Sequence, residues 1–415
     1  MVKANFIIPS WKYWAEPLIA QPLTQLYLAT ILENEGVDVE ITDFRDGPKA
    51  VNKADIFLYT VASPDKVEVD NLVKQIKKKF PKSKHIAGGP HPTIVPYDNS
   101  EMDSIVLGRG EEALKKIIRT FPNIETAYNE DADGKYPFPK RHFLPDDKII
   151  NTHLFKTDEI RSTTAQFSFG CPNGCSFCAN YTRGPIKRNS LEDISDEIDY
   201  LKETYRVKGL SLQDEIVIPA NRKDANDFLG LLKSKDIYWR GQTRALRNTS
   251  ILKQAKESGL VELSIGMESV SQRVIDMAHK NIKVEDVEST LQACKDYGIK
   301  TRLYLLNGLP GEDKYTVPKT IGFIEKNKPD LVLLSSLQPY PGSPIEQNPE
   351  AYGIQNISKK YDEFNHLLCR FNDSKDDPAR AVPYSFKPGK GLSRTKIIDN
   401  LLNLQSYLRG RGANK

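Results

Sequence analysis

Three cysteines within eight residues, Cys171, Cys175 and Cys178, constrain this chain more than any other feature. Their spacing is C-x3-C-x2-C, and they follow Ala165 to Phe169, a short run that reads as a strand. Pro172, Asn173 and Gly174 supply the turn that lets thiolates fold back toward one point. The other two of the five cysteines, Cys294 and Cys369, are isolated. An odd, clustered set in a chain with no export signal reads as a metal site, not as a disulfide framework. A structural zinc site would want a fourth ligand at a regular spacing, and the nearest histidine, His153, shows none. Three thiolates can instead hold three irons of a cubane and leave the fourth open to another ligand.

Around the cluster the chain alternates strand and helix signals. In residues 1–120, Asn5 to Pro9, Val37 to Phe44, Ile56 to Val61, His85 to Gly89 and Ser104 to Gly108 read as strands. Pro22 opens a helix that Gly36 stops, and Val69, Leu72, Val73, Ile76 and Phe80 stripe another. Ile56 to Val61 is apolar throughout, as a parallel strand buried on both faces would be. This is a doubly wound, Rossmann-like α/β pattern. Residues 121–160, rich in Asp, Pro, Lys and Asn, read as a linker. Residues 161–345 hold six more strand–helix units: Ala165–Phe169, Val207–Leu212, Tyr238–Thr243, Val261–Ile265, Thr301–Leu306 and Leu331–Ser335. Ser190 and Asp193 form a capping pair before the first long helix. Six units predict a partial (β/α)6 barrel, since eight would need more chain. Residues 346–415 read as mostly helical, with helices over Tyr361 to Phe371 and Lys396 to Leu408.

The 415 residues are 39% hydrophobic and 27% charged, with a net charge of +4. That balance suits a soluble globular protein and gives no support to a nucleic-acid scaffold. No apolar run approaches ~20 residues, so no membrane span is expected. The opening Met1 to Pro9 is too short and strand-like for a signal peptide, which points to the cytoplasm.

With an aromatic residue, Phe177, before its last cysteine, the cluster resembles the signature of the radical S-adenosylmethionine enzymes. Three further stretches are similar to that family's in the same order. They are Ser264-Ile265-Gly266-Met267-Glu268-Ser269, Leu306-Asn307-Gly308-Leu309-Pro310-Gly311-Glu312 and Pro339-Tyr340-Pro341-Gly342-Ser343-Pro344. Gln213-Asp214-Glu215 ends the second barrel strand, where relatives carry acids. The resemblance implies a 4Fe–4S cluster on Cys171, Cys175 and Cys178, with S-adenosylmethionine chelating the open iron and cleaved to a 5′-deoxyadenosyl radical. It implies a reductant such as flavodoxin or ferredoxin. Asp214 and Glu215 would pair with the cosubstrate's amino group, Glu268 would take the ribose hydroxyls, and Phe177 would lie near adenine. Arg244 would meet the methionine carboxylate, with Arg302 as a weaker candidate. The alternatives on residue grounds are a solvated loop for Asp214 and Glu215, and a helix N-terminal acid for Glu268.

The N-terminal stretch narrows the resemblance. Gln21-Pro22-Leu23-Thr24-Gln25-Leu26-Tyr27-Leu28-Ala29, Ala87-Gly88-Gly89-Pro90-His91-Pro92-Thr93 and Gly108-Arg109-Gly110-Glu111 resemble segments of cobalamin-binding radical enzymes. Gly88, Gly89 and Gly108 would let backbone approach a large flat ligand. The Asp-x-His-x-x-Gly motif of His-ligated cobalamin is missing, since Asp43-Phe44-Arg45-Asp46-Gly47 has no histidine. The resemblance therefore implies cobalamin held without a protein histidine. His91 reads as a loop-shaping residue. Trp11, Tyr13 and Trp14 either pack on a corrin or substrate or seal an interface.

Three functions are weighed. The first is cobalamin-dependent methyl transfer to an unactivated carbon. The second is radical ring formation or rearrangement with a cobalamin-free N-terminal domain. The third is a non-catalytic iron–sulfur or zinc protein that binds a partner. Methylthiotransferases carry three further cysteines in their N-terminal domain, and residues 1–170 contain none. No motif names the substrate.

Overall fold

The computed structural model describes residues 1–11, 16–129, 137–153, 155, 160–181, 183–360 and 378–411. The chain divides into two compact units, the first over Met1–Ile149 and the second beginning at Ile150.

The first unit runs β1 (Lys3–Ile8), α1 (Leu23–Asn34), β2 (Asp38–Asp43), β3 (Ile56–Thr60), α2 (Lys66–Lys79), β4 (Lys84–Gly88), α3 (Pro90–Ile94), β5 (Ser104–Val106), α4 (Glu111–Thr120), β6 (Ala127–Tyr128) and α5 (Asp146–Ile149). Its strands form one parallel sheet in the order β2-β1-β3-β4-β5-β6. The order reverses direction at β1, so the crevice for a ligand is expected at the carboxyl ends of β1 and β3. The apolar run of β3 has a physical reason. Ile56 and Leu58 enter one buried cluster with Phe6, Leu32 and Leu114, while Phe57 and Tyr59 enter another with Ile7, Val69 and Val73. Both faces are thus covered.

Strand β6 lies inside the stretch read as a linker. It is two residues long and pairs with β5, and Tyr128 is buried. A strand this short carries no alternation to detect. The same stretch supplies Arg141, which is wholly buried and donates from Nε to Gln21 Oε1 at 2.8 Å.

The second unit runs β7 (Ser162–Ala165), β8 (Ser168–Phe169), β9 (Lys187–Arg188), α6 (Leu191–Tyr205), β10 (Gly209–Leu212), α7 (Arg222–Ser234), β11 (Tyr238–Arg244), α8 (Ile251–Glu257), β12 (Leu260–Glu268), α9 (Gln272–Met277), α10 (Val284–Asp296), β13 (Lys300–Asn307), α11 (Thr316–Asn327), β14 (Leu331–Ser336), α12 (Pro344–Gln347), β15 (Ile354–Gln355), β16 (Ser385–Phe386) and α13 (Arg394–Gly410). Six strands form a parallel half-barrel sheet in the order β14-β13-β12-β11-β10-β7. Ser190 caps α6 by accepting from the Asp193 N–H at 3.1 Å. On the helix-covered face Trp239, Leu263, Ile265 and Leu303 are wholly buried.

The expected strand Ala165–Phe169 splits in two. Its first part joins the barrel sheet as β7. Its second, β8, turns away and pairs antiparallel with β9. The tail is less helical than expected, since β15 and β16 form a small antiparallel pair. The expected helix over Lys396 to Leu408 is α13, capped by Ser393. The expected helix over Tyr361 to Phe371 lies outside the described residues. Among the described residues no helix is long and apolar enough to cross a membrane.

Candidate active site

The cysteine loop hangs from the β8–β9 ribbon, in which Ser168 pairs with Arg188 and Phe169 with Lys187. Gly170 takes φ +95°, a left-handed conformation that glycine adopts without strain. Backbone ties then fix the loop. Gly184 donates to Cys171 O at 3.2 Å and Cys178 N–H to Cys175 O at 3.1 Å. Ser176 N–H donates to Ala278 O at 2.9 Å, and Ser176 O accepts from Ile345 at 3.0 Å. The loop is therefore held at its stem and at its middle.

Cys175 is buried, and Cys171 and Cys178 are partly exposed. Asn173 Nδ2 lies 3.3 Å from Cys171 Sγ, and an Arg244 guanidinium nitrogen 3.6 Å from Cys175 Sγ. Burial pushes the Cys178 thiol up, and the neighbouring Cys175 and Cys171 add to that. Among the described residues no three His, Cys, Asp or Glu side chains form a group of the kind that chelates a single metal ion. Three cysteines on one tied loop, two of them with an N–H donor on sulfur, fit the donor set of a cubane cluster.

Asp214, at the end of β10, is wholly buried under this loop. Its Oδ2 accepts from Phe167 N–H at 3.1 Å, its Oδ1 accepts from the Ser168 hydroxyl, and Arg188 stands 3.5 Å away. Burial pushes its carboxyl up, against the pull of Arg188 and Ser168. Asp214 therefore ties β8 and β9 to the barrel strand. Glu215 follows it, partly buried.

Glu268 ends β12 at φ +69°, beside a register shift against β13. A non-glycine residue held there marks local strain. Its Oε1 pairs with Lys280 Nζ at 2.7 Å, and that ammonium lies 5.6 Å from the centre of the Phe177 ring. A Cβ on Gly266 would sit 3.0 Å from both Glu268 Oε1 and Lys280 Nζ, so a side chain there would press on this pair. Phe177 itself packs against the buried cluster that includes Val274, Leu309 and Ile345. The structure thus gathers Phe177, Glu268 and Lys280, and separately Arg244 with Cys175. Arg302 is not among them, being paired with Glu262 lower on the sheet. Lys280 was missed by sequence reasoning. It stands in an unremarkable loop between His279 and Asn281, both at positive φ.

In the first unit, Gly89 has φ +105°, and a Cβ there would lie 3.1 Å from Val61 N and O. Gly88 packs against Val106. Gly108, at φ +73°, has open space beside it, with only Asn129 Oδ1 at 4.0 Å. Thr93 links two of these positions, its hydroxyl donating to Gly89 O at 2.7 Å and accepting from Gly108 N–H at 2.9 Å. His91 is buried, with Nδ1 3.0 Å from Ser63 Oγ, and burial pushes it down to about 4. It is thus a neutral loop residue at physiological pH. Arg45 stands two residues after Asp43, and its guanidinium grips Asp43 with contacts of 3.0 and 2.9 Å. Trp11 lies over it at 4.9 Å. Tyr13 and Trp14 lie outside the described residues. Open space beside a positive-φ glycine at a strand end fits the approach of a broad, flat cofactor.

Comparison with known proteins defines the class of each unit. Residues 166–324 match the Radical SAM superfamily, and residues 17–118 match the B12 binding domain. An uncharacterized methyltransferase of Pyrococcus horikoshii is 26% identical over 376 residues, covering 81% of this chain and 79% of that protein. The anaerobic magnesium-protoporphyrin IX monomethyl ester cyclase of Cereibacter sphaeroides is 24% identical, covering 88% of this chain and 62% of that protein's length. The radical S-adenosylmethionine methyltransferase TsrM from Kitasatospora setae, solved with cobalamin and a [4Fe-4S] cluster bound, shares the fold at TM-score 0.71. Its identity is 15%, with coverage of 97% of this chain and 90% of that one.

The chain belongs to the radical S-adenosylmethionine enzymes that carry a cobalamin-binding domain. These two domains imply a 4Fe–4S cluster, S-adenosylmethionine and cobalamin as its cofactors.

Proposed function

We propose that this enzyme transfers a methyl group to an unactivated carbon of its substrate. The observation that carries the reading is the loop of three thiols with the Arg244 guanidinium against Cys175. When bound, the cluster supplies the electron that cleaves S-adenosylmethionine, and cobalamin carries the methyl group. Cys171, Cys175 and Cys178 hold the cluster.

Arg244 has a buried guanidinium nitrogen with no partner among the described residues, which suits the methionine carboxylate. Glu268 keeps Oε2 for the ribose hydroxyls while Oε1 is held by Lys280. Phe177 offers its ring to adenine, and Glu215 remains a candidate for the amino group. Asp214 acts through the loop, because its oxygens are already taken.

Gly88, Gly89 and Gly108 line the cobalamin side. No histidine of the chain ligates cobalt in this reading, since Arg45 occupies the place of the motif's histidine and is held by Asp43. A small redox protein such as flavodoxin or ferredoxin delivers the electron, and the enzyme works in the cytoplasm. We also divide the chain functionally into residues 1–120, a connector at 121–160, the radical module at 161–345 and a tail at 346–415.

The test is anaerobic reconstitution, with iron and cobalt measured together by mass spectrometry. It is followed by incubation with methyl-deuterated S-adenosylmethionine and candidate substrates. The expected result is 5′-deoxyadenosine together with a product carrying the labelled methyl. A product of unchanged carbon count would favour ring formation, the activity named for the Cereibacter relative. Absence of the nucleoside would sink the radical reading altogether.

A further inference from the structure

Each of the three thiols in the loop meets a different donor. Asn173 Nδ2 stands 3.3 Å from Cys171 Sγ, a local contact two residues along the chain. At Cys178 burial pushes the thiol up, and a hydrogen bond from the Asn180 backbone N–H pulls it the other way. Arg183 donates to the Cys178 carbonyl at 3.1 Å from an exposed position, where water screens its charge. Cys175, the buried thiol, is met from outside the loop, with Arg244 Nη1 3.6 Å from its Sγ. Two of the donors on sulfur are therefore neutral and one is a cation.

The sheet places that cation. Arg244 ends β11 in register with Gly266 of β12, which has no side chain to crowd it. Glu268, two residues beyond Gly266, is already paired with Lys280 at 2.7 Å. Arg244 Nη2 is buried and has no partner among the described residues. The guanidinium fork thus turns one nitrogen to sulfur and keeps another for a ligand.

A hydrogen bond to a thiolate draws charge from it, and a charged donor does so about twice as strongly as a neutral one. Hydrogen bonds to the sulfurs and the net charge nearby are what a protein uses to set the reduction potential of an iron–sulfur cluster. A cation held against a buried sulfur favours the state with one more electron, and burial keeps that effect from being screened.

We propose that Arg244 raises the cluster's reduction potential through Cys175 with one nitrogen, while the other receives the cosubstrate's carboxylate. Asn173 makes a smaller contribution through Cys171. One electron passes from the reductant to the cluster, and no bond or proton changes at Arg244. This inference deepens the proposed function and rests on it for the cluster and the carboxylate.

The test is a redox titration of the reconstituted full chain without cosubstrate, at matched iron content, read by electron paramagnetic resonance. Calorimetric titration with S-adenosylmethionine follows on the same preparations. Arg244→Gln should lower the ratio of reduced to oxidised cluster at a fixed potential about tenfold, a midpoint ~59 mV lower for one electron. Arg244→Lys keeps the charge and loses the fork. It should stay within about threefold of wild type in reduction, yet bind cosubstrate about tenfold more weakly. Asn173→Ala should lose roughly two- to fourfold in reduction. Lost packing alone would move the two Arg244 variants alike. Reduction in Arg244→Gln within threefold of wild type, or an equal loss in both Arg244 variants, overturns the proposal. If Arg244→Gln does not load its iron, Arg244→Ala reconstituted with guanidinium ions decides. Removing the ions should then lower reduction, and no change overturns the proposal. The wild-type assay for 5′-deoxyadenosine runs alongside. Nucleoside with an unshifted potential in Arg244→Gln removes this inference and leaves the enzyme reading intact. A shifted potential without nucleoside keeps the role of Arg244 at the cluster and removes the radical reading.

Discussion

The two sheets are alike in being parallel and six-stranded, yet their carboxyl edges are built from different materials. The first edge is made of backbone: Gly88, Gly89 and Gly108, the last two tied together through Thr93. The second is made of charge and sulfur: Cys175 against Arg244, and Glu268 with Lys280 under Phe177. A broad ligand met by backbone is recognised through shape, and removing side chains is what makes room for it. A zwitterion with a metal cluster is recognised through fixed charges, and those must be placed and partly kept from water. The contrast predicts which kind of substitution each edge tolerates.

The largest effect belongs to the sulfur edge. Cys175→Ala removes the buried sulfur that the Arg244 guanidinium touches. Iron should fall from about four per reconstituted chain to well under one, and 5′-deoxyadenosine formation should drop below detection. Retention of a full cluster in this variant would mean that the three thiols do not act together. The contrast between the edges would then fail on its stronger side.

Second in size is a group that blurs the contrast, since it is a charge used for shape. Glu312 accepts from Gly308 and Leu309 N–H at 2.9 and 3.1 Å, and its Oε2 is buried without a partner among the described residues. Burial pushes its carboxyl from 4.5 up to about 7. The folded chain thus holds this proton more tightly than the unfolded chain does. Stability from the group is full below about pH 4.5 and is lost as pH rises through about 7. Glu312→Gln keeps an acceptor for both N–H groups and has no charge to bury. At pH 8 it should be more stable than wild type by up to ~3 kcal/mol, with the gap closing toward pH 5. Urea melts at the two pH values measure this. Parallel pH profiles would show that Glu312 ionises as readily in the folded chain as in the unfolded one, and that burial does not raise it.

What could be read beforehand follows the same division. Strands buried on both faces announce themselves as apolar runs, so β3 was legible from its residues; five of the barrel strands were legible too, while the first, expected over Ala165–Phe169, is β7 at Ser162–Ala165 with β8 split away. The cysteine loop was legible because its spacing has few other uses. Direction was not legible. Asp214 and Glu268 both stand as acids at strand ends, yet Asp214 turns under the loop to hold Phe167 and Ser168 while Glu268 stays at the edge with Lys280. A carboxylate looks the same in sequence whether it binds backbone or ligand. The ribbon of β8 and β9 and the strand β6 were invisible because two residues carry no period. Lys280 was invisible because its partners lie 12 residues before it and beyond.

The smallest effect tests whether the glycine edge is one material or two. Gly89 and Gly108 both have positive φ, so an alanine at either pays backbone strain of ~1 kcal/mol. Only Gly89 adds a steric term, because the new Cβ would press 3.1 Å from the backbone of Val61. Gly89→Ala should therefore lower stability by about 2–3 kcal/mol and Gly108→Ala by ~1 kcal/mol. Denaturant melts of the two variants, read beside their bound cobalt, separate the two uses of glycine. If Gly108→Ala loses cobalt out of proportion to its small loss of stability, that glycine serves the ligand. If both variants lose cobalt only as far as they lose stability, the first edge is a packing device, and shape recognition must come from other residues.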